Sequence, residues 1–203
     1  MRANNDRIVA DFDPAFRLLN GRLALAYAPV FHLVVCGGTA LVAMGLVSRA
    51  TRDVDIVALL DSSGGLVDPA PLPEPLLAAA GNVAEDLGLP KDWLNNGPSQ
   101  GDGGLFRMEL PDGFEGRLAP RSYGSHLSVS FISRVDQIHF KVYAAADQPG
   151  SYHVTDLHVL APTDDELLAG ARWARSHDPS DGYRSALAHL FEGIGRGHLV
   201  ALL

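Results

Sequence analysis

The sequence predicts an α/β or α+β domain with a helical C-terminal part. Three observations predict it. Helix-like and strand-like patterns alternate from Pro14 to Pro90; the later segment SHLSVSFIS shows the two-residue period of a half-buried strand; and from about residue 134 the chain reads as all-helical. The expected division is an α/β core over residues 1–133 and a helical region over 134–203 packed on it.

Taken in order, PAFRLLNGRLALAY (14–27) reads as a first helix, with Pro14 suited to its first turn and Phe16, Leu19, Leu23 and Leu25 as its apolar side. Val30–Cys36 is rich in β-branched and aromatic residues and reads as a strand. Gly37-Gly38-Thr39 breaks it, and ALVAMGL then reads as a short helix. Asp53–Leu60 is a second strand, and residues 61–73, with Ser, Gly and Pro, a loop. PEPLLAAAGNVAEDLGLP is a helix ending near Gly88 and Pro90. Residues 91–104 are rich in turn formers. LFRMEL, GRLAP and SHLSVSFIS read as short strands, the last alternating Leu127, Val129 and Phe131 against Ser128, Ser130 and Ile132.

Residues 134–147 return to helix, with Val135, Ile138, Val142 and Ala145 on one side. Thr163-Asp-Asp-Glu166 is a capping-box pattern ahead of LLAGARWA. Asp178-Pro-Ser-Asp181 separates that helix from a last one, GYRSALAHLFEGI. Trp173 and Phe191 stand at helical spacing among Leu and Ala and read as core. No repeat or low-complexity tail is present.

Composition narrows the function classes. The 203 residues suit one generous domain, or one domain with a small appendage. No apolar run approaches the roughly 20 residues of a membrane span. MRANNDRIVADFD has no apolar signal core, so a cytoplasmic location is expected. The single cysteine, Cys36, rules out an internal disulfide and a cysteine zinc cluster, and reads as a small buried hydrophobe. A formal charge of −8 with only 16 scattered basic residues disfavours a broad nucleic-acid groove, though not a local basic site. The eight histidines are dispersed without zinc-ligand spacing, and no nucleophile elbow accompanies Ser125-His126.

The chemistry concentrates in CGGTALVAMGLVSRATRDVDIVAL. Strand side chains alternate faces, so Asp53 and Asp55 point the same way while Val54 and Ile56 enter the core. Two carboxylates so close repel, which is relieved by a raised pKa or by a divalent cation; hard oxygen ligands favour Mg²⁺. Gly37, Gly38 and the Thr39 hydroxyl, at a strand end before a helix, offer a phosphate site. Together these suggest chemistry on a nucleoside triphosphate. The plain alternatives are a simple Gly-Gly turn, and an edge strand whose aspartates pair with Arg49 and Arg52.

The pattern Gly37-Gly38-Thr39-Ala-Leu, followed by Arg49-Ala-Thr51-Arg-Asp53-Val-Asp55, resembles the nucleotidyltransferase superfamily, specifically its AbiEii-type toxin and related bacterial branch. HFKVYAAADQ resembles that family's Leu-Lys-x-x-Ala helix, with Lys141 in the lysine place. HVTDLHVL resembles its Asp-x-x-Asp-Leu segment, with Asp156 matching and His153 standing where the family has its first aspartate. WLN at 93–95 is a further point of likeness. The resemblance spans about residues 30–160. It implies a mixed sheet flanked by helices, Mg²⁺ as cofactor, an NTP substrate, Lys141 on the triphosphate and Asp156 supporting it. It also implies an acceptor such as a tRNA end or a protein hydroxyl, with an antitoxin as a partner. Many polymerase-like members use a third carboxylate on a later strand; LSVSFI has none, and Glu109 in FRMEL is the substitute the sequence offers. Lys141 shares a helical side with Ile138 and Ala145, so its amine is directed inward or snorkels to the surface. Three readings stand: an active nucleotidyltransferase, a module of that fold that binds nucleotide or partner without chemistry, and a protein in which the aspartates only pair with arginine.

Overall fold

The computed structural model describes residues 11–48, 50–101 and 103–203. The architecture is α+β, a six-stranded mixed sheet with helices, and the chain separates into two compact units, Met1–Ile132 and Ser133–Leu203. No helix of the described residues is long and apolar enough to cross a membrane.

In the first unit, α1 (Asp13–Leu25) carries Pro14 in its first turn and buries Ala15, Phe16, Leu19 and Leu23. Leu25 does not join them and is 75% exposed. It lies two residues beyond Leu23, about 200° round a helix, and so faces away from that stripe. Then follow β1 (Phe31–Cys36), α2 (Gly37–Ala43), β2 (Val54–Leu60), β3 (Leu66–Val67), α3 (Glu74–Leu87), β4 (Leu94–Asn95), β5 (Ala119–Ser122) and β6 (Leu127–Phe131). The sheet order is β3-β2-β1-β6-β5, with β4 also paired to β2. The β1–β2 pair is antiparallel and the β1–β6 pair parallel, which makes the sheet mixed. Leu33, Val34 and Val35 of β1 are fully buried, so the core passes through the central strand on both faces.

Three local departures from the sequence pattern have plain causes. The 61–73 loop contains β3, because Asp61 accepts from the backbone N–H groups of Ser63 and Gly65 and closes a tight turn that returns the chain to β2. The turn-rich 91–104 segment contains β4, held against β2 by the Val54 N–H on the Trp93 carbonyl. Trp93 itself is fully buried, stacks on Phe12 (5.7 Å between rings) and donates from Nε1 to the Ala80 carbonyl. LFRMEL is not a strand: Arg107 and Met108 donate back to the Gly104 carbonyl, winding the segment into turns, and Glu109 takes a left-handed φ of 65°. Gly104 permits this, since a β-carbon there would stand 2.5 Å from the Ser99 backbone.

The second unit contains α4 (Arg134–Asp147), α5 (Tyr152–Leu160), α6 (Asp164–His177) and α7 (Asp181–Gly193), then a 3-10 turn over Gly197–Leu202. The Ser133 hydroxyl caps α4, and Thr163 with Glu166 forms the expected capping box on α6. The Arg134 guanidinium donates to the carbonyls of Leu160 and Ala161 and pairs with Glu166, which fixes the C-terminal end of α5. Phe191 is fully buried as expected of a core residue, whereas Trp173 is only partly buried and packs at the edge against Phe140 and Tyr143. Helices α5, α6 and α7 all pack on α4. That helix is therefore buried well beyond its apolar stripe, including Asp136, Gln137, His139 and Lys141.

Candidate functional site

The glycine turn and the acidic strand meet. Antiparallel pairing of β1 and β2 sets Cys36 opposite Asp55. Helix α2 starts at Gly37 itself, not after the glycines, because Gly37 adopts a left-handed φ of 68° that turns the chain directly out of the strand. Asp55 fills the space beside it: a β-carbon on Gly37 would lie 2.6 Å from Asp55 Oδ2. Two residues on, Thr39 Oγ1 donates to the Asp53 carbonyl at 2.6 Å, and Thr51 Oγ1 stands 3.5 Å from the same oxygen. Val54 and Ile56 are fully buried while Asp53 and Asp55 are only half-buried, the alternation a strand imposes. Arg49 lies outside the described residues.

Asp53 is partly withdrawn from water. Burial raises its pKa above the ordinary carboxylate value; the Arg52 charge pulls it back, and the nearby Asp92 charge pushes it up again. Asp92 precedes β4, in a stretch whose spacing gave no sign that it would approach Asp53. Asp53 and Asp55 supply hard carboxylate oxygens at the start of β2. That donor set fits Mg²⁺, which keeps several waters and takes only one or two protein carboxylates. Among the described residues, no group of three or more His, Cys, Asp or Glu could hold a metal ion. Glu109 is exposed on its turn and adds no strand acid to the pair. The phosphate role expected of Gly37, Gly38 and Thr39 is constrained: Asp55 occupies the space at Gly37, and the Thr39 hydroxyl proton goes to Asp53. A phosphate beside Asp55 would be repelled unless a cation lay between them.

In the second unit, Lys141 Nζ and Asp156 Oδ2 are 2.7 Å apart, with side chains only 5% and 2% exposed. His153 Nδ1 lies 3.3 Å from the same amine, and the Tyr152 ring centroid 5.0 Å from it. Lys141 is thus an inward, ion-paired lysine and not a snorkelling one. Burial, reinforced by the Lys141 charge and opposed by Asp156, pushes the His153 pKa down to about 4. The ring is therefore neutral near pH 7 and accepts from the amine. Asp156 and His153 meet Lys141 because they sit three residues apart on α5, on one side of that helix.

Comparison with protein-family models, with curated proteins and with solved structures finds no match to this chain.

Proposed function

We propose that the protein is a Mg²⁺-dependent nucleotidyltransferase that moves a nucleotide from an NTP to an acceptor hydroxyl. The observation that carries this reading is the contact of Asp55 with Gly37. It joins a left-handed glycine turn to the start of β2, which carries Asp55 and which Asp53 immediately precedes. Asp53 and Asp55 would hold the cation, which supplies neutralisation of the phosphate charge. Thr39 and Thr51 act on the backbone of Asp53 and hold that carboxylate in register. Because Asp55 fills the space beside Gly37, a phosphate would approach the Gly37-Gly38 turn only across the cation that the carboxylates hold. Lys141 as a triphosphate contact and Asp156 as its support belong to the same proposal. So do a tRNA end or a protein hydroxyl as acceptor, an antitoxin partner and a cytoplasmic location.

Two observations favour a second reading, a module of this kind that binds nucleotide or a partner without transferring it. No third acidic group completes a metal cluster among the described residues, and the Lys141 amine is already engaged within its own unit. One experiment separates the readings. Thermal shift with Mg²⁺ and each NTP is followed by incubation with labelled NTP and bulk RNA or lysate. Stabilisation with label transfer supports the enzyme, and stabilisation without transfer supports the module. If the Asp53→Ala, Asp55→Ala double variant keeps the full stabilisation, the shared site is wrong under both.

A further inference from the structure

Leu168, Ala171, Arg172 and Arg175 recur at the spacing of one helical face, so they share a side of α6. With Leu202 and Leu203 they line a cleft of about 290 Å³ within the second unit. That is small-molecule size, at the lower end of the roughly 300–1,000 Å³ such sites span. One half of the cleft is apolar. Leu168 and Ala171 are buried in α6, and Leu202, 61% exposed, stands over them. The 3-10 turn that carries Leu202 is anchored by Leu199, which is buried.

The other half is cationic. Arg175 has company: its Nη2 donates to the Pro179 carbonyl at 3.1 Å, and the Asp178 charge acts on it. It also lies in the last turn of α6, where the helix dipole favours a cation. Neither reason covers Arg172. It sits a turn further in, is exposed, and makes no hydrogen bond or ion pair among the described residues. An acid would pair with it from three or four residues away, and those places hold Leu168, Ala169, Arg175 and Ser176. Among the described residues no acidic side chain lines the cleft. In a chain of formal charge −8, one uncompensated guanidinium thus stands beside an apolar wall.

We propose that this cleft binds a small monoanion with an apolar body, of the medium-chain carboxylic acid class. The Arg172 fork matches one carboxylate with two parallel N–H···O bonds. The apolar body lies on Leu168, Ala171 and Leu202 and takes them out of water. A single negative charge fits, because Arg175 already has Pro179 and Asp178. The site goes beyond the nucleotidyltransferase reading and does not rest on it, since it uses neither the aspartates of the first unit nor a metal.

Octanoate is the probe, titrated into the intact protein and followed by backbone amide shifts in proton–nitrogen correlation spectra. Binding should saturate with a dissociation constant on the order of 1 mM, in keeping with so small a ligand. The shifts should concentrate at residues 168–176 and 199–203. Octanol, the same body without the charge, and acetate, the charge without the body, should each bind at least about tenfold more weakly. Arg172→Gln should weaken octanoate by about tenfold, and Leu202→Ser by several-fold. Both side chains are exposed, so both variants keep the fold. Arg184→Gln, at an exposed position of α7 outside the cleft, should keep the wild-type value. Four results overturn the site: no saturation, shifts centred elsewhere, octanol binding as tightly as octanoate, or equal losses in Arg172→Gln and Arg184→Gln.

Discussion

The carboxylate of Asp55 lies so close to Gly37 that residue 37 has no room for a side chain, even a methyl group: its β-carbon would stand 2.6 Å from Oδ2. The positive φ of Gly37 adds a second, independent reason for glycine there. Gly37→Ala should therefore destabilise the protein by about 2 kcal/mol, from backbone strain together with the displaced carboxylate. Adding Asp55→Ser should recover part of the loss. Urea denaturation of the two singles and the double measures the coupling, and strictly additive effects would show that the carboxylate is not in contact.

Asp53 carries a raised pKa, led by burial. Its folded-state value lies above the unfolded one, so the stabilising contribution is present below the carboxylate range and is lost as pH rises through it. Asp53→Asn should accordingly be more stable than the wild type at neutral pH, with the difference closing below about pH 4. Mg²⁺ at millimolar concentration should raise the melting temperature of the wild type but not of the variant, since only a cation bound to the folded state stabilises it. Parallel melting curves with and without Mg²⁺ at several pH values check both points.

Removing Lys141 strands Asp156 in the interior. Lys141→Met should cost about 3–5 kcal/mol, whereas Lys141→Met with Asp156→Leu should cost less than the single change. The comparison is made by denaturant unfolding, with circular dichroism confirming helix content. A double variant worse than the single would mean that Asp156 has another partner of greater weight.

His153 behaves oppositely to an ordinary surface histidine. Its folded pKa is depressed to about 4, below the unfolded value. Its contribution is fully present above the unfolded pKa near 6.5 and is lost as pH falls toward 4. His153→Gln keeps a neutral acceptor and cannot be protonated, so its stability should fall less steeply than the wild type between about pH 6.5 and 4. Superimposable pH profiles would place the histidine in solvent.

Much of this was legible from residue order because local and tertiary preferences agree. The Phe16, Leu19, Leu23 stripe, the Thr163–Glu166 box and the alternation of Asp53 and Asp55 with Val54 and Ile56 each rest on a fixed period or spacing. Where the reading failed, long-range contacts decided. β3 and β4 are two-residue strands that exist only because β2 offers them an edge, and a segment so short has no period to detect. LFRMEL alternates like a strand, yet Gly104 lets it curl against Ser99. At the candidate site, the glycine pair and the two aspartates could be found by spacing. The approach of Asp92 to Asp53 could not, since it depends on the β2–β4 register. The partnership of Lys141 with Asp156 was visible only as two separate residues on two helices.

Arg134 clasps the last carbonyls of α5 with several hydrogen bonds, while the Ser151 hydroxyl at the opposite end makes no capping bond. A rod clamped at one tip and left uncapped at the other frays from the uncapped end. Mobility along α5 should be graded, smallest beside Leu160 and largest at Tyr152, and the anchored arginine would set the pivot about which that lever swings.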